Sequence, residues 1–405
     1  MSELRKSILK LQGKRPGKTL TPVKNYTPIK WTEYFEKEET VEITSGKFHI
    51  YTKGFEGPIL LCLHGGGYSG LTWALFAEEV SKLINCRVIA IDLRGHGNTS
   101  TTNDADLSLE MLSQDVVEIA SKLTETNPSP IVLLGHSMGG AVAVEAAHHI
   151  DCVVGLCVID VVEGTALDAL SSMQSILRGR PSHFKSLPHA IQWCYKGGQT
   201  HNLEAARVSM PGQIVSIKTG KLAADDCDNI DESVLLSSDL MKGTIHSPLE
   251  LPEVIENEED EAVHTQESDN CVDCGKPPLS KNQKIDLFKN SNVAKVESGG
   301  PQYTWRIDLS KTEKFWAGWF KGLSQKFLDL RIPKLLLLAN IHGLDTALTV
   351  GQMQGKFQLQ VLAKSGHAIH EDQPHHVAEI VSGYLVKQRI AISKSTFVHA
   401  SLPAC

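Results

Sequence analysis

Short runs of consecutive apolar residues recur at strand length, at 59–63, 88–91, 131–134, 153–159, 335–339 and 357–362. Strands buried on both faces of a parallel sheet read this way. Stretches with helical spacing lie between them, at 72–83, 107–123 and 139–149, and a further one, 374–386, follows the last run. The alternation predicts an open, mostly parallel α/β sheet with helices on both faces. Ahead of it, 41–43 and 48–51 alternate around Gly46, which predicts an antiparallel hairpin.

The alternation breaks between 164 and 330, a predicted cap region. Residues 166–222 read as helical and end in polar sequence. The stretch 223–283 is acidic, poor in aromatics and without sustained period, and reads as a disordered insertion. Helical spacing returns at 312–328, with Phe315, Trp316, Trp319, Phe320 and Leu323 on one stripe. Such a stripe is either plain core packing or a cap helix over a substrate cleft.

Charge sharpens the division. Residues 223–274 hold sixteen Asp/Glu against one Lys, a net of −15, within a chain of −7. Residues 1–30 hold eight Lys/Arg against one Glu, a net of +7, so the rest is about neutral. The basic arm at 1–30 has three prolines and few apolar residues, and is expected to be mobile or loosely docked. Residues 31–405 form the predicted catalytic domain. The balance describes no single surface, so it points to neither nucleic acid nor membrane.

No apolar run approaches the roughly 18 residues of a spanning helix. The first residues lack the apolar stretch of a secretory signal. Nine cysteines, with Cys62 and Cys157 inside strand-like runs, read as reduced thiols of a cytoplasmic or nuclear protein. Gly-Lys-Arg-Pro-Gly-Lys in the arm is a weak nuclear signal or a solvated tail. Cys271 and Cys274 form a lone C-x-x-C, too little to predict a metal site.

The sharpest motif is Gly135-His136-Ser137-Met138-Gly139, a G-x-S-x-G between an apolar strand and a small-residue helix. A nucleophilic serine on a strained strand-to-helix turn needs this context. Upstream, His64-Gly65-Gly66-Gly67 follows another strand, where a second backbone donor for an oxyanion is expected. The first donor is the N–H of Met138, and the second is that of Gly66 or Gly67. Seventeen histidines make presence alone uninformative. His367 follows the last strand and precedes the last helix, where this fold delivers its base. His370 is its competitor, while His64, His96 and His136 are expected to stabilise loops. Two acids are open, Asp160 at the end of run 153–159 and Asp345 after run 335–339. Spacing alone slightly favours Asp345.

At these residues the chain resembles the protein phosphatase methylesterases, α/β-hydrolases that remove the methyl ester from the C-terminal leucine of the protein phosphatase 2A catalytic subunit. The resemblance rests on HGGGYSGLTWALF (64–76), GHSMGGAVAV (135–144), CVIDVVEGTALDALSSMQSILRGRP (157–181), GQMQGKFQLQVL (351–362) and GHAIHED (366–372). It implies an α/β-hydrolase fold and a triad of Ser137, Asp160 and His367, with Asp345 kept as the runner-up acid. It implies no cofactor and no metal, the phosphatase catalytic subunit as partner, and a triad assembled on docking. Within the acidic insertion, Leu251, Val254 and Glu256 resemble an L-x-x-I/V-x-E motif read by a phosphatase 2A regulatory subunit. A generic carboxylesterase or lipase, or a phosphatase-binding scaffold with incidental catalysis, are the competing readings. Epoxide hydrolase chemistry would need a carboxylate where Ser137 stands.

Overall fold

A computed structural model describes residues 24–227, 302–341 and 344–394. The proposed docking residues Leu251, Val254 and Glu256 and the pair Cys271 and Cys274 lie outside them, as do 1–23 of the arm.

The predicted apolar runs become the strands of one sheet. β1 (Lys37–Ile43) and β2 (Gly46–Lys53) form the hairpin, followed by β3 (Ile59–Leu63), β4 (Arg87–Ile91), β5 (Ile131–His136), β6 (Val153–Ile159), β7 (Lys334–Leu338) and β8 (Gln358–Val361). Their order is β1-β2-β4-β3-β5-β6-β7-β8, and a two-residue strand, Ser100–Thr101, also pairs with β2. β2 pairs antiparallel with β1 and β4, and from β4 to β8 every neighbour is parallel. This is the α/β-hydrolase sheet.

The two-residue period of a strand splits each apolar run between two cores. On one face, Ile59, Leu61 and Leu63 join residues of α2 (Leu109–Thr124) and α3 (Met138–Ala147). On the other, Leu60 and Cys62 join residues of α1 (Ala74–Leu83) and of the last helix, Pro374–Lys387. Two layers of helix therefore bury the sheet, and its loops are left at the edge.

The cap departs from the sequence reading in three places. Residues 166–222 are not all helical. Beside α4 (Glu163–Gly179), α5 (Leu187–Lys196) and α6 (Leu203–Ser209) they hold two short strands, His183–Phe184 between α4 and α5 and Ile214–Ser216 after α6. Both pair with Tyr303–Trp305, which lies beyond the insertion, so no local pattern announces them. The predicted helix 312–328 is broken into α7 (Glu313–Phe320) and α8 (Leu323–Asp329). Gly322 takes φ 77° there, and the Glu163 carboxylate accepts the N–H groups of Gly322 (2.8 Å) and Ser324 (3.2 Å). A side chain from α4 thus caps the new helix. Finally, the insertion starts later than expected, because Ala223 is fully buried in the cap core beside Phe184 and Ile191.

Residues 24–30, assigned to the arm by composition, are docked. Tyr26 packs on the cap core, Ile29 N–H bonds to Arg207 O at 3.0 Å, and Arg207 Nε donates to Thr27 O. Few apolar residues suffice because the segment gains backbone bonds from α6.

Candidate active site

Ser137 caps α3 on the turn leaving β5, with φ 52° and ψ −121°. That conformation is strained for a residue with a Cβ and points the side chain out of the strand line. The motif's flanking glycines are required by close approach. A Cβ on Gly135 would sit 2.2 Å from Gly139 O, and one on Gly139 would sit 2.4 Å from Leu63 O. The elbow therefore exists only where three backbone segments touch.

Asp160 leaves β6 with φ 52°. Its N–H donates to Leu337 O at 2.8 Å, and Oδ1 accepts the Ala339 N–H at 2.9 Å. β7 thus fixes the carboxylate from the next strand. Oδ2 accepts from His367 Nδ1 at 2.8 Å. Of the two acids left open by spacing, this is the one brought to the imidazole. Asp345 instead caps α9 (Thr346–Met353), taking the Leu348 N–H at 2.8 Å and the Ser324 hydroxyl. His367 has a half-exposed side chain, whereas its competitor His370 is fully buried and bonded to Thr72 Oγ1 at 2.9 Å. Among the described residues Ser137 makes no hydrogen bond to His367, although both face the same cavity.

That cavity, of about 430 Å³, is lined by Ser137, Met138, Asp160, His367 and Gly66. Its apolar wall comes from the cap, with Met173 of α4 and Trp316, Trp319 and Phe320 of α7. Both readings of the aromatic stripe hold at once. Trp316, Trp319 and Phe320 are buried in the core cluster and also roof the cavity.

The glycine loop after β3 is held by two histidines. His64 Nε2 accepts the Leu93 N–H at 3.0 Å, so its Nδ1–H donates to Gly65 O at 2.8 Å. His96 Nε2 accepts the Gly67 N–H at 2.9 Å, and its Nδ1–H donates to Arg94 O at 2.8 Å. Burial pushes His64 down to about 4 and His96 to about 3, so both rings stay neutral and keep those tautomers. Arg94, bidentate to buried Asp115 at 2.7 Å, pins the segment carrying His96. A third ring, His136, donates from Nε2 to the His367 carbonyl at 2.9 Å, and burial holds it neutral as well. Loop stabilisation by these three matches the sequence expectation. No sequence pattern announced the buried group behind them, where Thr72 Oγ1 links His370 Nε2 to Glu371 Oε1 (2.6 Å).

Residues 60–215 match the alpha/beta hydrolase family. Protein phosphatase methylesterase 1 of Mus musculus and of Homo sapiens are each 46% identical over 374 residues, spanning 91% of this chain and 87% of the relative. Probable protein phosphatase methylesterase 1 of Caenorhabditis elegans is 39% identical, spanning 90% and 79%. Among solved structures, E-2-(acetamidomethylene)succinate hydrolase superposes with TM-score 0.57 at 15% identity, over 86% of this chain and 99% of that one. An esterase of M. tuberculosis does so with TM-score 0.51 at 17%, over 86% and 92%. These two show the fold.

The fold and the site define an α/β-hydrolase, and the protein is a carboxylic ester hydrolase. Within that class the chain belongs to the protein phosphatase methylesterase 1 family.

Proposed function

We propose that this protein hydrolyses the methyl ester on the C-terminal leucine of the protein phosphatase 2A catalytic subunit, releasing methanol. The observation that carries the reading is the 2.8 Å bond from His367 Nδ1 to Asp160, in a cavity that also holds Ser137 on its strained turn. Ser137 attacks the ester carbonyl while His367 Nε2 accepts its proton. Asp160 holds the imidazole tautomer with Nδ1–H and offsets the charge of the imidazolium. The tetrahedral oxyanion takes the Met138 N–H, the first of α3, and the Gly66 N–H. Gly67 is the less suitable of the two glycines, since its N–H already serves His96. His367 then protonates methanol, and water cleaves the acyl-enzyme by the same route. An apolar roof of Met173, Trp316 and Phe320 suits a leucine side chain. No step needs a metal or organic cofactor.

The serine–imidazole contact closes when the phosphatase docks, so that unrelated esters meet an incomplete site. Leu251, Val254 and Glu256 serve as a secondary anchor for a regulatory subunit. The deciding experiment is methanol release from carboxymethylated phosphatase 2A by wild type and by Ser137→Ala. Release by wild type alone supports the reading. Wild-type hydrolysis of small acyl esters without release from the phosphatase favours a generic esterase.

A further inference from the structure

Arg180 ends α4 and faces two spaces at once. It lines the cavity holding Ser137, and it lines an adjoining groove of about 440 Å³ that runs past Ser182, Thr304 and Trp305. Leu177, Leu309 and Trp316 line both as well, so the two spaces share a wall at Arg180. A chain whose last residue sits in the cavity would leave through this groove.

The guanidinium is held in place without being neutralised. Its Cζ lies over the Trp305 ring, 5.1 Å from the centroid. That ring is itself fixed, since Trp305 Nε1 donates to Pro181 O at 2.8 Å and its edge meets Phe184 and Trp193. A cation–π contact uses the charge and takes up none of the guanidinium N–H donors, which stay available to a ligand. Among the described residues, Arg180 has no hydrogen bond or ion pair from its side chain. The groove's two carboxylates are engaged elsewhere, Glu313 with Gln174 and Asp308 with Lys311 and Ser310. Burial alone depresses the Arg180 pKa. A half-buried cation without a counter-charge is costly, and a carboxylate meeting it edge-on would form a bidentate pair. It is also close to the chemistry, because a Cβ on Gly67 would lie 3.7 Å from Arg180 Nη1.

We propose that Arg180 is a specificity residue that binds an acidic side chain of the substrate polypeptide, within the few residues preceding the esterified one. This rests on the reading of the site as a protein-tail methylesterase. It separates such a tail from a small ester, which fills the cavity and never reaches the groove.

The test uses the full chain and short peptides ending in leucine methyl ester, with Glu or Gln at each of the three positions before it. Wild type is expected to show kcat/KM about 10-fold or more higher for Glu than for Gln at one position. In Arg180→Gln that ratio should fall to about 1, and Arg180→Glu should prefer Lys at the same position. The ratio is internal to each variant, so a general loss of activity does not mimic it. If wild type hydrolyses all the peptides with no preference for Glu, the assignment is overturned and the esterase reading stands. If no peptide is hydrolysed, binding of the same peptides to Ser137→Ala by fluorescence anisotropy decides. A Glu preference there, lost on adding Arg180→Gln, upholds the subsite while the esterase reading fails. Equal binding of Glu and Gln peptides overturns the subsite, as does a Glu preference that survives Arg180→Gln.

Discussion

The ring of His96 takes the Gly67 N–H at 2.9 Å, tying the glycine loop after β3 to the loop after β4. Its other nitrogen bonds Arg94 O, so the ring can accept from Gly67 only while it is neutral. Replacing it by Ala leaves a buried amide without an acceptor, at a cost of about 1–3 kcal/mol. His96→Ala is therefore expected to lower kcat more than it changes KM, because the loop carrying Gly66 loses its anchor while the cavity wall persists. Steady-state kinetics on one ester checks this. A rise in KM at unchanged kcat would instead place His96 in ground-state binding.

Ser137 gives two separable expectations. Ser137→Ala removes the proposed nucleophile and should cost several powers of ten in turnover. Ser137→Gly should lose the same activity yet raise Tm, because glycine accepts φ 52° without the strain of about 1–3 kcal/mol stored there. Thermal melts of the two variants side by side read this out.

Asp160 and Asp345 should separate activity from stability. Asp160→Asn should cripple catalysis by reversing the donor at His367 Nδ1. Asp345→Ala should remove an N-cap and destabilise by about 1 kcal/mol, with a small effect on turnover. Activity and Tm measured on both variants settle which acid serves the imidazole. The opposite ranking would return the role to Asp345.

Buried neutral histidines set an acid limit. His64 (about 4), His96 (about 3) and His370 (about 3) are all depressed by burial below the 6.5 of a free imidazole. The unfolded chain therefore binds more protons below 6.5. Their contribution is complete above pH 6.5 and is lost as pH falls toward 4, by about 1 kcal/mol per histidine per pH unit. Glu371 opposes them. Burial raises it to about 7 from 4.5, so its contribution is complete below 4.5 and lost as pH rises through 7. Three histidines outweigh one carboxyl, and Tm should fall steeply from pH 6.5 to pH 5. Glu371→Gln removes the opposing group and should steepen that fall. A flat Tm across this window would contradict the neutral assignments.

The docking motif is tested apart from the enzyme. A peptide spanning 247–262 should bind the phosphatase regulatory subunit, and Leu251→Ala with Val254→Ala should weaken it about tenfold or more, from two lost apolar anchors. Equal binding by both peptides, removed together by salt, would mean diffuse attraction by the acidic residues.

The sheet was legible because burial on both faces writes itself into the chain as unbroken apolar runs, and every run became a strand. The serine elbow was legible for a related reason. Its glycines are demanded by backbone contacts within a short segment, chiefly Gly135 against Gly139. His367 followed from its place between the last strand and the last helix. The acid was not decided by such local rules. Asp160 directly follows β6 and Asp345 caps α9 beyond β7, and residue spacing slightly favoured Asp345, whereas the structure brings Asp160 to His367. What separates them is the pairing of β6 with β7, which places the Ala339 N–H on Asp160 across 179 residues. The cap strands at 183–184 and 303–305, the Glu163 cap on α8 and the seat of Arg180 over Trp305 have the same character. Each depends on a partner distant in sequence. Local periodicity records which side of an element is buried, whereas the identity of the group facing it is set only when the chain has closed.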